Sequence, residues 1–163
     1  MSAVTTPDPE PMASTSPDPA PPSDDGWVSA RIARGRYRTE LRARGHAFVL
    51  DEPAAVGGTD AGPTPYEAML GAVAACTVIT LRMYADRKGW PLEGAEVALR
   101  TAADHATDCA ACEDADVGPH AIERRLSLVG PLDAEQRRRL AEIADRCPVK
   151  QMLARGVEVV AGA

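Results

Sequence analysis

What the chain lacks narrows its reading first. It has no excess of positive charge: 24 acids stand against 18 bases, a net charge of -6. That balance argues against nucleic acid or an anionic membrane as partner. It has no long apolar run. The longest uncharged apolar stretch, Ala68 to Leu81, is 14 residues, short for a membrane span and suited to a buried helix. No basic start followed by an apolar core opens the sequence, so export is not expected. Its four cysteines then read as thiol chemistry or metal binding in a cytoplasmic protein. There is no internal repeat, and 163 residues suffice for one ordinary domain but not two. Residues 1–25 lack Lys and Arg altogether. They carry Asp8, Glu10, Asp18, Asp24 and Asp25, so all but one unit of the net charge resides there, together with seven of the 14 prolines. With no aromatic residue before Trp27, this segment cannot bury enough apolar surface to offset its ordering entropy. Residues 1–26 are expected to be a disordered leader, and residues 27–163 the folded domain.

From Trp27 the pattern becomes alternation. Val28, Ala30 and Ile32 face one way, with Ser29 and Arg31 opposite. Tyr37, Thr39, Leu41 and Ala43 alternate with Arg36, Arg38, Glu40 and Arg42 beyond a turn at Arg34-Gly35. A third run, His46 to Leu50, follows Gly45. Three runs of period two predict a β-meander with one wet face. A Gly- and Pro-rich loop, Asp51 to Pro65, leads into the clearest element. Thr64 is placed as N-cap, Pro65 at the first helical position, and Glu67 three residues after the cap, forming a capping box. The helix stops at Arg87-Lys88-Gly89, cations in the last turn and then a Gly terminator. Its first three turns are apolar on every side, so a sheet on one side does not suffice and a second subunit is expected on the other. Strands follow near Ala95 to Thr101 and over Ile122 to Val129, the latter with Ile122, Arg124, Leu126 and Leu128 on one face. A second capping box, Asp133 with Gln136, opens a helix with Leu140, Ile143 and Ala144 as its core stripe. Pro148 restarts a short helix through Leu153, and Val157 to Val160 is expected to close the chain as a strand. The order β-β-β-α-β-β-α-α-β is an α+β fold with antiparallel pairing.

Two cysteines are the main chemical candidates. Cys76 lies in mid-helix among Ala74, Ala75 and Val78, where a free thiol either packs as a small hydrophobe or acts as a nucleophile. Burial raises a thiol's pKa and mid-helix gains little from the dipole, so a nucleophilic Cys76 needs a cation. Arg38 on the meander is the first choice, set against its reading as part of a solvated face with Arg36 and Arg42. Cys147 precedes Pro148, so its sulfur can sit at the N-terminus of the short helix. Exposed amides there would stabilise a thiolate or a leaving sulfur; otherwise Cys147 is a helix stop.

Gly62-Pro63-Thr64-Pro65-Tyr66-Glu67, Ala74-Ala75-Cys76-Thr77 and Ala144-Asp145-Arg146-Cys147-Pro148-Val149 resemble the OsmC/Ohr family of hydroperoxide reductases, over roughly Trp27 to Val160. Leu81 to Leu92 and the tract His105 to Glu113 look like the subgroup sometimes fused to an α/β-hydrolase. The resemblance implies an antiparallel sheet with a long central buried helix, in an intertwined homodimer with active sites at the subunit interface. It implies attack by the Cys76 thiolate on an organic hydroperoxide, a sulfenic acid, and a Cys76–Cys147 disulfide. A dithiol, typically on a lipoylated protein, then reduces that disulfide, and no cofactor is required. Two positions depart from the pattern. The acid that holds the family's catalytic arginine lies ten residues before the reactive Cys, where this chain has Tyr66; Glu67 lies nine before. At ~100° per residue that is the far side of the helix from Cys76, so Glu67 is either the helix cap alone or acts on the arginine across a dimer. Lys150-Gln151 stands where the subgroup has His and Arg.

His105-x3-Cys109-x2-Cys112 is a second constellation. It suits Zn²⁺ with Asp108, Glu113 or His120 as a fourth ligand, an auxiliary thiol pair, or a polar hairpin tip with incidental thiols. No second Cys-x-x-Cys completes a four-thiolate site, and no metal is assigned. The rival to a peroxidase is a non-catalytic binding module of the same fold, holding a small apolar ligand or zinc.

Overall fold

The computed structural model describes residues 26–101 and 121–161. The expected leader, apart from Gly26, lies outside them. In chain order the elements are β1 (Val28–Ile32), β2 (Thr39–Ala43), β3 (His46–Leu50), a 3-10 turn (Ala54–Val56), α1 (Pro65–Lys88), β4 (Gly94–Thr101), β5 (Ile122–Val129), α2 (Ala134–Ala144) and α3 (Pro148–Arg155). The fold is α+β with antiparallel pairing throughout. Among the described residues there are two sheets, β1-β2-β3 and β4-β5, and no ladder joins them.

The meander forms as its alternation dictates. Ala30 pairs with Leu41 and Leu41 with Phe48, while Ile32 pairs with Thr39 and Thr39 with Leu50. These residues share one face, with Arg31, Glu40 and Arg42 on the other. The first turn is shifted from Arg34-Gly35 to include Arg36, which takes a left-handed φ of 64° and donates from Nη1 to the Gly57 carbonyl at 2.7 Å. Asp51, at the end of β3, organises the loop before α1. Its carboxylate accepts from the amides of Glu52 (2.8 Å), Thr59 (3.0 Å) and Ala61 (3.2 Å) and from the Thr59 hydroxyl (2.5 Å). The Thr59 hydroxyl leads the causes that lower its pKa to about 2, against the opposing effect of burial. Gly58 closes the same loop: a Cβ there would lie 1.7 Å from the Glu52 carbonyl oxygen, so no other residue fits.

Helix α1 begins and ends as read. The Thr64 hydroxyl accepts from the Glu67 amide at 3.2 Å, and the Glu67 carboxylate accepts from the Thr64 amide at 2.8 Å. Gly89 terminates it at a left-handed φ of 64°. By length and composition alone α1 would also suit a bilayer. Its main packing partners in the chain are β4, α2 and α3. Val73, Thr77, Leu81 and Ala85 form the buried stripe, and Leu81 and Ala85 meet Leu92, Leu132, Leu140, Ile143 and Ala144 in the core. The helix is thus buried along one stripe and not all round: Ile79 and Met83 are exposed, Met83 to 67%. An apolar helix can bury only the faces that one chain has elements to cover.

β4 and β5 pair from Gly94–Val129 to Thr101–Ile122. This sets Ala95, Val97 and Leu99 beside Leu128, Leu126 and Arg124 on one face. The expected closing strand is absent. Residues 157–161 form no ladder, and Val157, Val159 and Val160 are exposed. A β-branched run becomes a strand only where an edge offers it hydrogen-bond partners, and among the described residues no strand pairs with it.

Candidate functional site

Cys76 and Cys147, 71 positions apart in sequence, are brought together where α3 meets α1. Both are free thiols, Cys76 partly buried and Cys147 fully buried. Cys147 is the N-cap of α3: Pro148 cannot continue α2 and is preorganised for the first turn of a new helix. Its thiol lies 3.8 Å from the Val73 carbonyl oxygen, to which it donates as a weak S–H donor. That carbonyl also accepts from the Thr77 hydroxyl at 2.7 Å, while Thr80 donates to the Cys76 carbonyl at 2.8 Å.

The two thiols are neighbours, and their surroundings split their acidities. Burial is the largest effect on Cys76. With the neighbouring Cys147 it pushes that thiol up, offset only in part by the Val149 amide and the Thr80 hydroxyl. Burial opposes ionisation of Cys147 as well. There it is outweighed by hydrogen bonding from Cys76, the Lys150 amide, the Thr77 hydroxyl and the Val149 amide, and the Cys147 pKa falls. The first negative charge on the pair therefore rests at Cys147, where amides of the α3 first turn converge.

Beside the pair lies a cavity of about 520 Å³. Val73, Thr77, Leu99, Ile122 and Leu153 line it, with Arg124, Asp145 and Lys150 as its charged part. Asp145 Oδ1 accepts from Lys150 Nζ at 2.6 Å and from Arg124 Nη1 at 3.0 Å. The Lys150 hydrogen bond, more than Arg124, keeps this carboxyl below the usual aspartate range against the opposing effect of burial.

Of the residues singled out in the sequence, the structure brings together Cys76 and Cys147. Arg38 lies elsewhere: it is half-exposed just before β2 and donates to Glu40 Oε1 at 3.1 Å. The meander that carries it is not a main packing partner of α1. Glu67 is occupied by the capping box, as helical geometry requires. His105, Cys109 and Cys112 lie outside the described residues, as does His120. Thr77, Thr80, Arg124 and Asp145 were not singled out as site residues. Only Arg124 carried a visible signal, an arginine on the otherwise apolar face of β5.

The chain has the architecture of proteins of known structure. It matches an OsmC-like protein from Mycoplasma pneumoniae with TM-score 0.63 and 16% identity, over 81% of this chain and 89% of that one. An organic hydroperoxide resistance protein OsmC from Legionella pneumophila matches with TM-score 0.54 and 17% identity, over 77% and 85%. An organic hydroperoxide resistance protein from Elizabethkingia anophelis, solved with thiocyanate bound, matches with TM-score 0.55 and 16% identity, over 76% and 84%. No curated protein matches. Residues 58–161, more than half of the sequence and inclusive of both site cysteines, match the family model for OsmC-like proteins. The chain belongs to the OsmC-like family.

Proposed function

We propose that this protein is a thiol-dependent peroxidase that reduces organic hydroperoxides through Cys76 and Cys147. The observation that carries the reading is the pair itself: two free, neighbouring thiols whose surroundings push their acidities apart, in a chain of a family whose solved members include organic hydroperoxide resistance proteins. The Cys76 proton passes to the Cys147 thiolate, and the Cys76 thiolate so formed attacks the terminal peroxide oxygen. The O–O bond breaks, Cys76 becomes a sulfenic acid, and the alkoxide leaves and is protonated to the alcohol. Cys147 then attacks the Cys76 sulfur, hydroxide leaves as water, and a disulfide forms. A dithiol, on a lipoylated protein in this reading, attacks the Cys76 sulfur. Cys147 is the better leaving sulfur, because α3 amides support its charge. The apolar lining of the neighbouring cavity favours an alkyl-bearing peroxide over a small hydrated one. No cofactor enters the cycle.

The working unit in this reading is a cytoplasmic homodimer. One face of β1–β3 carries Val28, Ala30, Ile32, Leu41 and Phe48. Val28, Ile32 and Phe48 are exposed, as are Ile79 and Met83 on α1. Apolar surface of that extent calls for cover, and a second copy supplies it symmetrically. Arg38 and Glu67 would reach a Cys76 only across such a contact.

The test is one equivalent of an alkyl hydroperoxide followed by peptide mapping. A Cys76–Cys147 disulfide within one chain is expected, with turnover lost in Cys76→Ser and a dimedone-trappable sulfenic acid in Cys147→Ser. A dominant Cys109–Cys112 bridge with Cys76 still reduced would overturn the assignment. If the wild type turns over no alkyl hydroperoxide while zinc co-purifies stoichiometrically, the binding-module reading replaces this one.

A further inference from the structure

We propose that Asp145, gripped by Arg124 and Lys150, is a positioning residue for the thiol pair: it ties down the α2–α3 corner so that the first turn of α3 stays against the Cys147 sulfur. The proposal rests on the reading of Cys76 and Cys147 as redox partners, and its test below separates the two.

Asp145 is the C-cap of α2 and Cys147 the N-cap of α3, so the whole corner is three residues. An acid at a helix C-terminus meets the negative end of the dipole and is unfavourable there. Here it accepts from two cations on one oxygen, Lys150 Nζ at 2.6 Å and Arg124 Nη1 at 3.0 Å. Lys150 serves twice. It stands in the first turn of α3, the helix that Cys147 caps, and its ammonium binds Asp145 on the other side of Cys147 in sequence. Releasing the ammonium loosens that first turn. Arg124 anchors the other end. It lies on the face of β5 shared with Leu126 and Leu128, where alternation calls for an apolar side chain, and its side chain is 27% exposed. Among the described residues its guanidinium pairs with Asp145. The three residues thus run from the sheet to the start of α3 along the cavity wall. Val73 and Thr77, which themselves contact Cys147, line that same cavity. Among the described residues the titratable and charged groups around Cys147 are Cys76 from α1, Asp145 and Arg146 at the corner, Lys150 from α3 and Arg124 from β5. Among them Asp145 alone is bonded to both α3 and β5.

The experiment measures iodoacetamide alkylation of Cys147 against pH by peptide mass spectrometry, in the full-length wild type, Asp145→Asn, Asp145→Glu and Arg124→Gln. Single-turnover disulfide closure with an alkyl hydroperoxide is followed alongside. Asp145→Asn is expected to move the Cys147 alkylation midpoint to higher pH and to slow closure roughly two- to fivefold, the range of a first-turn helix-terminus effect. Arg124→Gln moves both less, in the same direction, and Asp145→Glu restores them. Should Asp145→Asn fail to fold, Arg124→Gln carries the test. Profiles that superimpose on wild type in both variants overturn the proposal, and so does an Asp145→Glu protein that behaves like Asp145→Asn. If the wild type consumes no hydroperoxide, the peroxidase reading fails, and the alkylation profile still decides the role of Asp145.

Discussion

Replacing Thr77 by Val separates the part of the site that holds the fold from the part that tunes the chemistry. Thr77 is 2% exposed, and its hydroxyl donates to the Val73 carbonyl at 2.7 Å. That carbonyl also receives the Cys147 thiol, so the valine leaves no orphaned acceptor. A methyl takes the place of the hydroxyl and opens no cavity. The net worth of a neutral hydrogen bond, about 0.5–1.5 kcal/mol, is partly returned by the added apolar burial. Unfolding free energy should therefore change by about 1 kcal/mol or less in a urea melt. The sulfur fares differently. The Thr77 hydroxyl has one proton, given to Val73 while Cys147 is neutral and turned to the sulfur when Cys147 ionises; a hydrogen bond to a charged group contributes about 1.5–3 kcal/mol, and this hydroxyl is one of the groups that lower the Cys147 pKa. Removing it raises the pKa, and below that value the thiolate fraction at fixed pH falls. Alkylation of Cys147 at neutral pH should slow by about tenfold, and the difference should vanish at a pH where both proteins are fully ionised. An unchanged alkylation profile would refute the electrostatic reasoning. A loss of more than about 2 kcal/mol with unchanged reactivity would show the hydroxyl to be a structural bond to Val73 and nothing more.

Asp51 has its pKa lowered to about 2 from an ordinary value of 3.8. Its stabilisation is thus present above pH 3.8 and is lost as pH falls towards 2; Asp51→Asn should lower the melting temperature at neutral pH and flatten the acid limb of stability against pH. Leu81 is fully buried at the centre of the core, so Leu81→Ala should cost about 2–5 kcal/mol in a denaturant melt. Phe48 is 46% exposed on the apolar face of the meander; Phe48→Asp should dissociate the proposed dimer in size-exclusion chromatography while the monomer keeps its far-UV spectrum, and an unchanged elution volume would overturn the proposal that this face is the subunit contact.

Local chemistry made most of the fold legible. The two capping boxes, at Thr64 with Glu67 and Asp133 with Gln136, are present as hydrogen-bonded pairs. The meander register follows from alternation, since a slip by one residue would move Leu41 and Phe48 to the arginine face. What misled was non-local. Val157 to Val160 has the composition of a strand, yet strand formation depends on a free edge that sequence does not place. In the same way the all-round apolarity of α1 reports that cover is needed without saying how much one chain provides, and one chain covers only the stripe of Val73, Thr77, Leu81 and Ala85.

The site was legible to the extent that its chemistry is carried by rare residues with local signals. Cys76 stood out as a thiol inside an apolar helix and Cys147 as a thiol before a helix-starting proline, and the fold brings them together. Their supporting groups were hidden for a physical reason. Thr77 and Thr80 are ordinary helix residues until one knows which side of α1 receives α3, and Asp145 looks like any polar residue at a helix end until Arg124 arrives from a strand 21 positions away. Arg38 shows the converse case. Its charge and position on the meander recommended it, but in the chain it pairs with Glu40 two residues on, the cheapest partner an exposed arginine can find. A cation chosen from sequence is chosen by proximity along the chain, whereas a thiolate is stabilised by what packing brings to it. In this protein packing brings helix amides, a threonine hydroxyl and a second thiol to Cys147, with a carboxylate-bridged pair of cations close by.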